Sequence, residues 1–148
     1  MNQPEILIVG AGGMGALFGS ILHENGLKVV LYDTNTEHIR AIQQVGLKIE
    51  GYGGDRTIPI AATSNLSELE SVEIIIFQCK SHGTRQASKA VKPLITQESV
   101  CISFQNGLGN EEVMAEELGE DFVMGGLTAM AGVLPVSYTH LRAHETQR

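Results

Sequence analysis

The sequence is poor in the features that mark several large classes of protein. Lysine and arginine number 10 against 17 acidic residues, giving a net charge of −7, and the basic residues form no stripe. That argues against a nucleic-acid partner, whose phosphates call for clustered cations. No apolar run reaches the length needed to span a membrane. Met1-Asn-Gln-Pro-Glu5 has neither the basic nor the apolar region of a signal peptide. Cysteine is scarce: Cys79 and Cys101 are the only two. Each lies in or beside an apolar stretch and is expected to be a small core thiol, not half of a disulfide or a metal site. Low-complexity tracts and internal repeats are missing as well. What is left is a globular, soluble chain with a cytoplasmic expectation. It is 148 residues long and 43% hydrophobic, enough for one domain with a core.

The most informative stretch is Ile6-Leu-Ile-Val-Gly-Ala-Gly-Gly-Met-Gly15. Four apolar residues read as a buried parallel strand, Gly10-x-Gly12-x-x-Gly15 follows directly, and an apolar pattern of helical period follows that. This is the context in which a glycine-rich turn binds a dinucleotide. Gly10 permits the tight turn, Gly12 lets the backbone approach a pyrophosphate, and Gly15 lets the helix pack on the strand. The helix N-terminus attracts the phosphates. A βα turn that binds nothing is the alternative.

Along the chain, a helix is predicted over residues 14–25 and a second strand over 27–32, ending on Asp33. Asp33 lies about 18 residues beyond Gly15, close to the roughly 20-residue spacing at which an acidic side chain bonds the adenosine ribose. A carboxylate there accepts from both ribose hydroxyls and repels a 2′-phosphate. The competing reading is a strand-end aspartate that caps the next helix. That helix is predicted to about residue 45, followed by an inserted hairpin over 47–60 around Gly-Gly-Asp. Residues 61–71 read as a connector with a short helical turn at 66–69. Strands are predicted over 72–79, over 100–104 and from Phe122, with helices between. The alternation predicts an α/β, doubly wound, mostly parallel Rossmann-like sheet, incomplete within this chain.

In such sheets ligands bind outside the carboxyl ends of the strands. Lys80 follows a strand too apolar to hold an ammonium, so its head is expected at the crevice, to pair with a phosphate, carboxylate or carbonyl, unless it is a solvated loop lysine. Asn106-Gly107 taken alone reads equally well as a simple turn. His82 stands three residues beyond Cys79, but no further ligands cluster there, so no metal is expected.

Together, Ile6 to Gly15, Gln78-Cys-Lys80 and Phe104-Gln-Asn-Gly-Leu-Gly109 resemble the ketopantoate reductase (2-dehydropantoate 2-reductase) family, over residues 6–134. The resemblance implies an oxidoreductase that reduces 2-dehydropantoate to pantoate with NADPH, in pantothenate biosynthesis. It implies that Gly10, Ala11, Gly12, Gly13, Met14 and Gly15 cradle the pyrophosphate. It places Lys80 and Asn106 at the nicotinamide and substrate end, and Ala131 near a further cofactor contact. No catalytic residue is expected in this chain, because the family's general-acid lysine belongs to an all-helical C-terminal domain. Many members carry an arginine after the second strand to hold the 2′-phosphate. Asp33-Thr34-Asn35 stands here instead, which brings in NAD and the NAD-dependent D-2-hydroxyacid dehydrogenases of the same fold.

Residues 136–146 resemble a translated sequencing adapter. Residues 1–135 are therefore expected to be the dinucleotide-binding part of a two-domain enzyme, and 136–148 a non-native tail. The His140-x-x-x-His144 spacing carries no functional weight. Three readings stand: ketopantoate reductase, NAD-dependent D-2-hydroxyacid dehydrogenase, and a non-catalytic nucleotide-binding module. The expected partner is a small 2-oxo acid, and a homodimer is left open. A chain lacking its domain partner is expected to expose apolar surface and self-associate. Light scattering checks this, and a well-behaved monomer is the contrary result.

Overall fold

The computed structural model describes residues 3–134 and, for 140–145, the backbone alone. The tail assigned at 136–148 thus lies, for 136–139 and 146–148, outside the described residues. Strand β1 (Ile6–Val9) is buried along its whole length. Ile6 and Ile8 enter one apolar cluster, while Leu7 and Val9 enter a second on the other face. A strand covered on both faces has no position left for a polar alternate, which is why it reads as an unbroken apolar run.

The chain then runs through α1 (Gly13–Glu24), β2 (Val29–Tyr32), α2 (Thr36–Val45), β3 (Leu47–Glu50), β4 (Arg56–Ile58) and β5 (Ala61–Thr63). It continues through β6 (Ile74–Phe77), α3 (Thr84–Val91), β7 (Val100–Ser103), α4 (Asn110–Leu118), β8 (Val123–Gly125), β9 (Met130–Val133) and β10 (His140–Glu145). Six strands form one sheet in the order β5-β2-β1-β6-β7-β8, every neighbouring pair parallel. Leu17 of α1 and Ile39 and Ile42 of α2 cover one face. Val91 of α3 and Met114 of α4 cover the other. From β1 the chain winds outward through β2 to β5, then returns to β6 and winds the opposite way. The reversal between β1 and β6 opens a crevice at their carboxyl ends. No helix among the described residues is long and apolar enough to cross a membrane.

The doubly wound parallel sheet matches the expectation, as do the antiparallel hairpin of β3 and β4 and the helix positions to within a residue or two. One prediction is corrected. Residues 61–71 are not wholly a connector, because β5 pairs parallel with β2 through Ala61, Ala62 and Thr63 and closes one edge of the sheet. Three short residues after Pro59 carry little apolar or β-branched pattern, so nothing local marks them as a strand. The pairing is imposed by the exposed edge of β2. The stretch beyond residue 122 also divides: β8 stays in the large sheet, and β9 joins a second one, β4-β3-β10-β9.

Arg56 fastens the inserted hairpin to α1. Its Nε and one terminal nitrogen donate to the two carboxylate oxygens of Glu24 at 2.6 and 2.8 Å. Its other nitrogen donates to the carbonyls of Tyr52 and Gly54. A forked, half-exposed pair of this kind is worth about 1 kcal/mol. The Arg56 hydrogen bond holds the Glu24 carboxyl below its ordinary range. A depressed carboxylate contributes stability that is present at neutral pH and is lost as the pH falls through the folded-state value. Arg56→Leu is accordingly expected to lower the free energy of unfolding at pH 7 by about 1 kcal/mol. The gap from wild type should close toward pH 3, measured by urea unfolding at both pH values.

Candidate functional site

The crevice is built around the turn between β1 and α1. Gly10 takes a φ of +101°, a left-handed conformation that a side chain would strain, and its N–H still donates to Tyr32 O, extending the β1–β2 ladder. A Cβ on Gly15 would stand 1.8 Å from the Gly10 carbonyl oxygen, so the helix start folds directly onto the turn. Gly12 is different: a side chain there would meet nothing within 4 Å. Among the described residues, the N–H groups of Gly12, Gly13 and Met14 have no hydrogen-bond acceptor. Free donors at the start of a helix, beside open space, suit an anion.

Two clefts flank the turn. One, of about 260 Å³, lies between Gly10, Tyr32, Asp33 and Thr34 on one side and Gly83 and Ala87 of the facing α3 region on the other. The second, of about 340 Å³, is lined by Gly12, Met14, Gln78, Lys80, Ser81 and Asn106. Cys79 lines both, so the two clefts adjoin just beyond the end of β6, on either side of the glycine turn. The Asp33 carboxylate is fixed: Oδ2 accepts the Ala11 N–H at 2.8 Å and Oδ1 accepts the Asn35 N–H at 2.9 Å. Asp33 thus lines the cleft and ties the residue before α2 to the glycine turn, while the N-cap of α2 is Asn35, whose side chain accepts the His38 N–H. Tyr32 beside it has its phenol pushed up, mainly by burial and then by the Asp33 charge.

Lys80 is exposed and forms no ion pair among the described residues. Its loop is bolted to the Asn106 loop. The Asn106 carbonyl accepts from Ser81 Oγ at 3.0 Å and from Asn110 Nδ2 at 3.1 Å. Behind it, Gln105 Nε2 donates to the Cys79 carbonyl and to Thr84 Oγ1, both at 2.8 Å. Thr84 in turn donates to Asn110 Oδ1 at 3.1 Å. Thr84 and Asn110 are buried, so these bonds form away from competing water. Asn106 itself is exposed, and Gly107 does make the turn that its sequence suggests, at φ +95°.

Of the predicted residues, Gly10 and Asp33 line the first cleft and Gly12, Gly13, Met14, Lys80 and Asn106 the second, whereas Ala11 and Gly15 are buried and line neither. Ala131 is in β9, beside rather than in the two clefts. A Cβ built on Gly13 would stand 2.3 Å from the carbonyl oxygen of Gly132, the next residue, so β9 runs backbone to backbone against the helix start. Cys101 is buried, its thiol pushed up to about 12 by burial. Cys79 is only half-buried and faces the crevice, against the expectation of a core thiol. Burial still pushes it up to about 11, so it remains a protonated thiol at neutral pH. Both cysteines are free. His82 is exposed, and no cluster of metal-ligating side chains exists among the described residues. The side chains of His140 and His144 lie outside the described residues.

Sequence reasoning passed over Gln105, Thr84, Asn110 and His38. The last is a histidine on the buried stripe of α2 with Ile39 and Ile42. A polar group on an apolar face needs a partner, which was the available signal. For Asn110, removing the amide leaves the Thr84 O–H without its acceptor and the Asn106 carbonyl with Ser81 Oγ as its remaining donor. Asn110→Leu is expected to cost about 1–3 kcal/mol in urea unfolding, and Asn110→Asp, which keeps an acceptor for Thr84, is expected to cost less.

Comparison with known proteins agrees with this geometry. The family model described as ketopantoate reductase PanE/ApbA matches residues 6–146. A 2-dehydropantoate 2-reductase of Pyrococcus abyssi is 36% identical over 124 residues, covering 84% of this chain and 39% of that protein. The Lactococcus lactis enzyme of the same name is 31% identical over 126 residues, covering 84% of this chain and 40% of its own. Among solved structures, the ternary structure of D-mandelate dehydrogenase with NADH and anilino(oxo)acetate superposes with a TM-score of 0.88 at 25% identity, covering 94% of this chain and 45% of that one. The chain spans about 40% of the length of the curated relatives it matches.

Proposed function

Since the chain belongs to the ketopantoate reductase family, we propose that its crevice is the dinucleotide half of an NAD(P)H-dependent 2-oxo acid reductase. In the complete protein the substrate is 2-dehydropantoate and the product pantoate. The observation that carries the reading is the convergence of the open glycine turn, Lys80 and Asn106 on one crevice at the β1–β6 switch point. The residues fit the cofactor. Free N–H groups of Gly12 to Met14 suit the pyrophosphate, and the Asp33 carboxylate suits the ribose hydroxyls. When bound, the dinucleotide supplies the hydride that reduces the carbonyl.

This chain's own part is binding and orientation. Lys80 brings a cation to the crevice, suited to the carboxylate or carbonyl of a 2-oxo acid. The Asn106 amide offers donors and an acceptor at the same end, and the bolt through Ser81, Asn110 and Gln105 holds the two loops at a fixed spacing. Cys79, its thiol pushed up by burial, stays protonated at neutral pH. The proton that completes the alcohol comes, in this reading, from the part of the complete protein beyond the span of this chain.

The Asp33 carboxylate favours a second reading of cofactor and substrate. It cannot withdraw without giving up two backbone hydrogen bonds, and a 2′-phosphate beside it would place two anions in a partly dry cleft. An NADH-dependent 2-hydroxyacid dehydrogenase, like the D-mandelate enzyme above, fits that feature. The 148-residue chain is expected to bind NADH at least about tenfold more tightly than NADPH, a difference of about 1.4 kcal/mol, by isothermal titration, and Asp33→Asn to narrow the gap. A preference for NADPH overturns this assignment of Asp33. Rates of NADH oxidation by the complete protein with 2-dehydropantoate and with branched or aromatic 2-oxo acids decide between the substrates. The 148-residue chain alone is expected not to turn over.

A further inference from the structure

Four hydrogen bonds form a closed ring between the glycine turn and the start of α2. The Ala11 N–H donates to Asp33 Oδ2 at 2.8 Å, and the Asn35 N–H donates to Asp33 Oδ1 at 2.9 Å. The His38 N–H donates to Asn35 Oδ1 at 3.1 Å. His38 Nε2 then returns to the Ala11 carbonyl at 2.7 Å. A carbonyl oxygen only accepts, so the proton of this bond is on Nε2. Ala11 is wholly buried and His38 is 2% exposed, so water does not compete for either group.

The ring holds both backbone groups of one residue: the Ala11 N–H, in the Gly10–Ala11 peptide, and the Ala11 carbonyl, in the Ala11–Gly12 peptide. In a planar trans peptide the N–H points opposite to the preceding C=O. Holding the Ala11 carbonyl toward α2 therefore turns the Gly12 N–H away from α2. Gly12 is the residue that borders open space, and its N–H is among the free donors of the turn. Without the His38 bond the Ala11–Gly12 peptide is free to rock about the Ala11 ψ and the flexible φ of Gly12.

We infer that His38 is a positioning residue for dinucleotide binding: through the Ala11 carbonyl it sets the direction in which the glycine turn presents its N–H groups to a pyrophosphate. The inference rests on the dinucleotide reading of the crevice and adds a residue that touches no ligand. It also couples two subsites, because Asp33, at the ribose end, closes the same ring.

The test compares His38→Gln, which keeps an N–H donor at similar reach, with His38→Met, which has similar length and no donor. Dissociation constants for NADH and for ADP-ribose are measured on the 148-residue chain by titration calorimetry, together with Tm. His38→Met is expected to weaken both ligands about tenfold or more, since both carry the pyrophosphate, with His38→Gln within about threefold of wild type. A histidine that serves structure alone would lower Tm and leave the affinity of the folded protein unchanged, and that result overturns the inference. Should His38→Met fail to fold, Asn35→Ala opens the ring at an exposed position. It is expected to weaken both ligands, and unchanged binding again overturns the proposal. A wild-type chain that binds neither ligand removes the dinucleotide reading itself, which is a distinct outcome.

Discussion

The backbone of Ala11 is the point on which the rest of the crevice depends. It is buried, it carries a donor and an acceptor that must both be satisfied, and it sits between two glycines that give it no rigidity of their own. The fold meets the requirement with side chains from the next βα unit: Asp33 at the end of β2 takes the N–H, and His38 in the first turn of α2 takes the carbonyl. Asn35 joins those two partners to each other. The glycine turn is therefore held by α2, and α2 is held in turn by Ile39 and Ile42 in the core. A loop that is flexible in composition becomes rigid in place.

The other end of the crevice follows the same logic with different residues. Lys80 and Asn106 are exposed and make few contacts of their own, yet the main chain beneath them is fastened by Ser81, Gln105, Thr84 and Asn110. Exposed polar groups on a bolted frame are the usual arrangement of a binding site, in which ordering is completed before the ligand arrives. Family membership fits both ends, and Cys79 is the residue at which the two clefts adjoin.

Much of this was legible from residue order alone. The unbroken apolar run of β1, the glycines after it and the strand–helix rhythm gave the parallel sheet and its crevice, because each depends on local pattern and on burial of both faces. Asp33 was legible by spacing as a residue at the end of β2 beside the glycine turn, and the bonds its carboxylate accepts from the Ala11 and Asn35 N–H groups were not. β5 was not legible: Ala61 to Thr63 have no pattern of their own and pair only because β2 offers an edge. His38, Thr84 and Asn110 were missed for a related reason. Their partners lie about 25 residues away in the chain, and spacing within a motif carries no trace of a bond made across the fold. Cys79 was expected in the core because its neighbours are apolar, yet it sits just past the end of β6, where the sheet gives way to the crevice.

The pairing of β1 with β6 joins strands that are nearly seventy residues apart, whereas the hairpin of β3 and β4 closes over about ten. Closing the long loop is the entropically costly step, and the crevice opens along that same seam. During folding the hairpin and the helices have the means to form early, but the site has no existence until the two halves of the chain have met. Anything that binds across the seam therefore stabilises the globally folded state and not one segment of it.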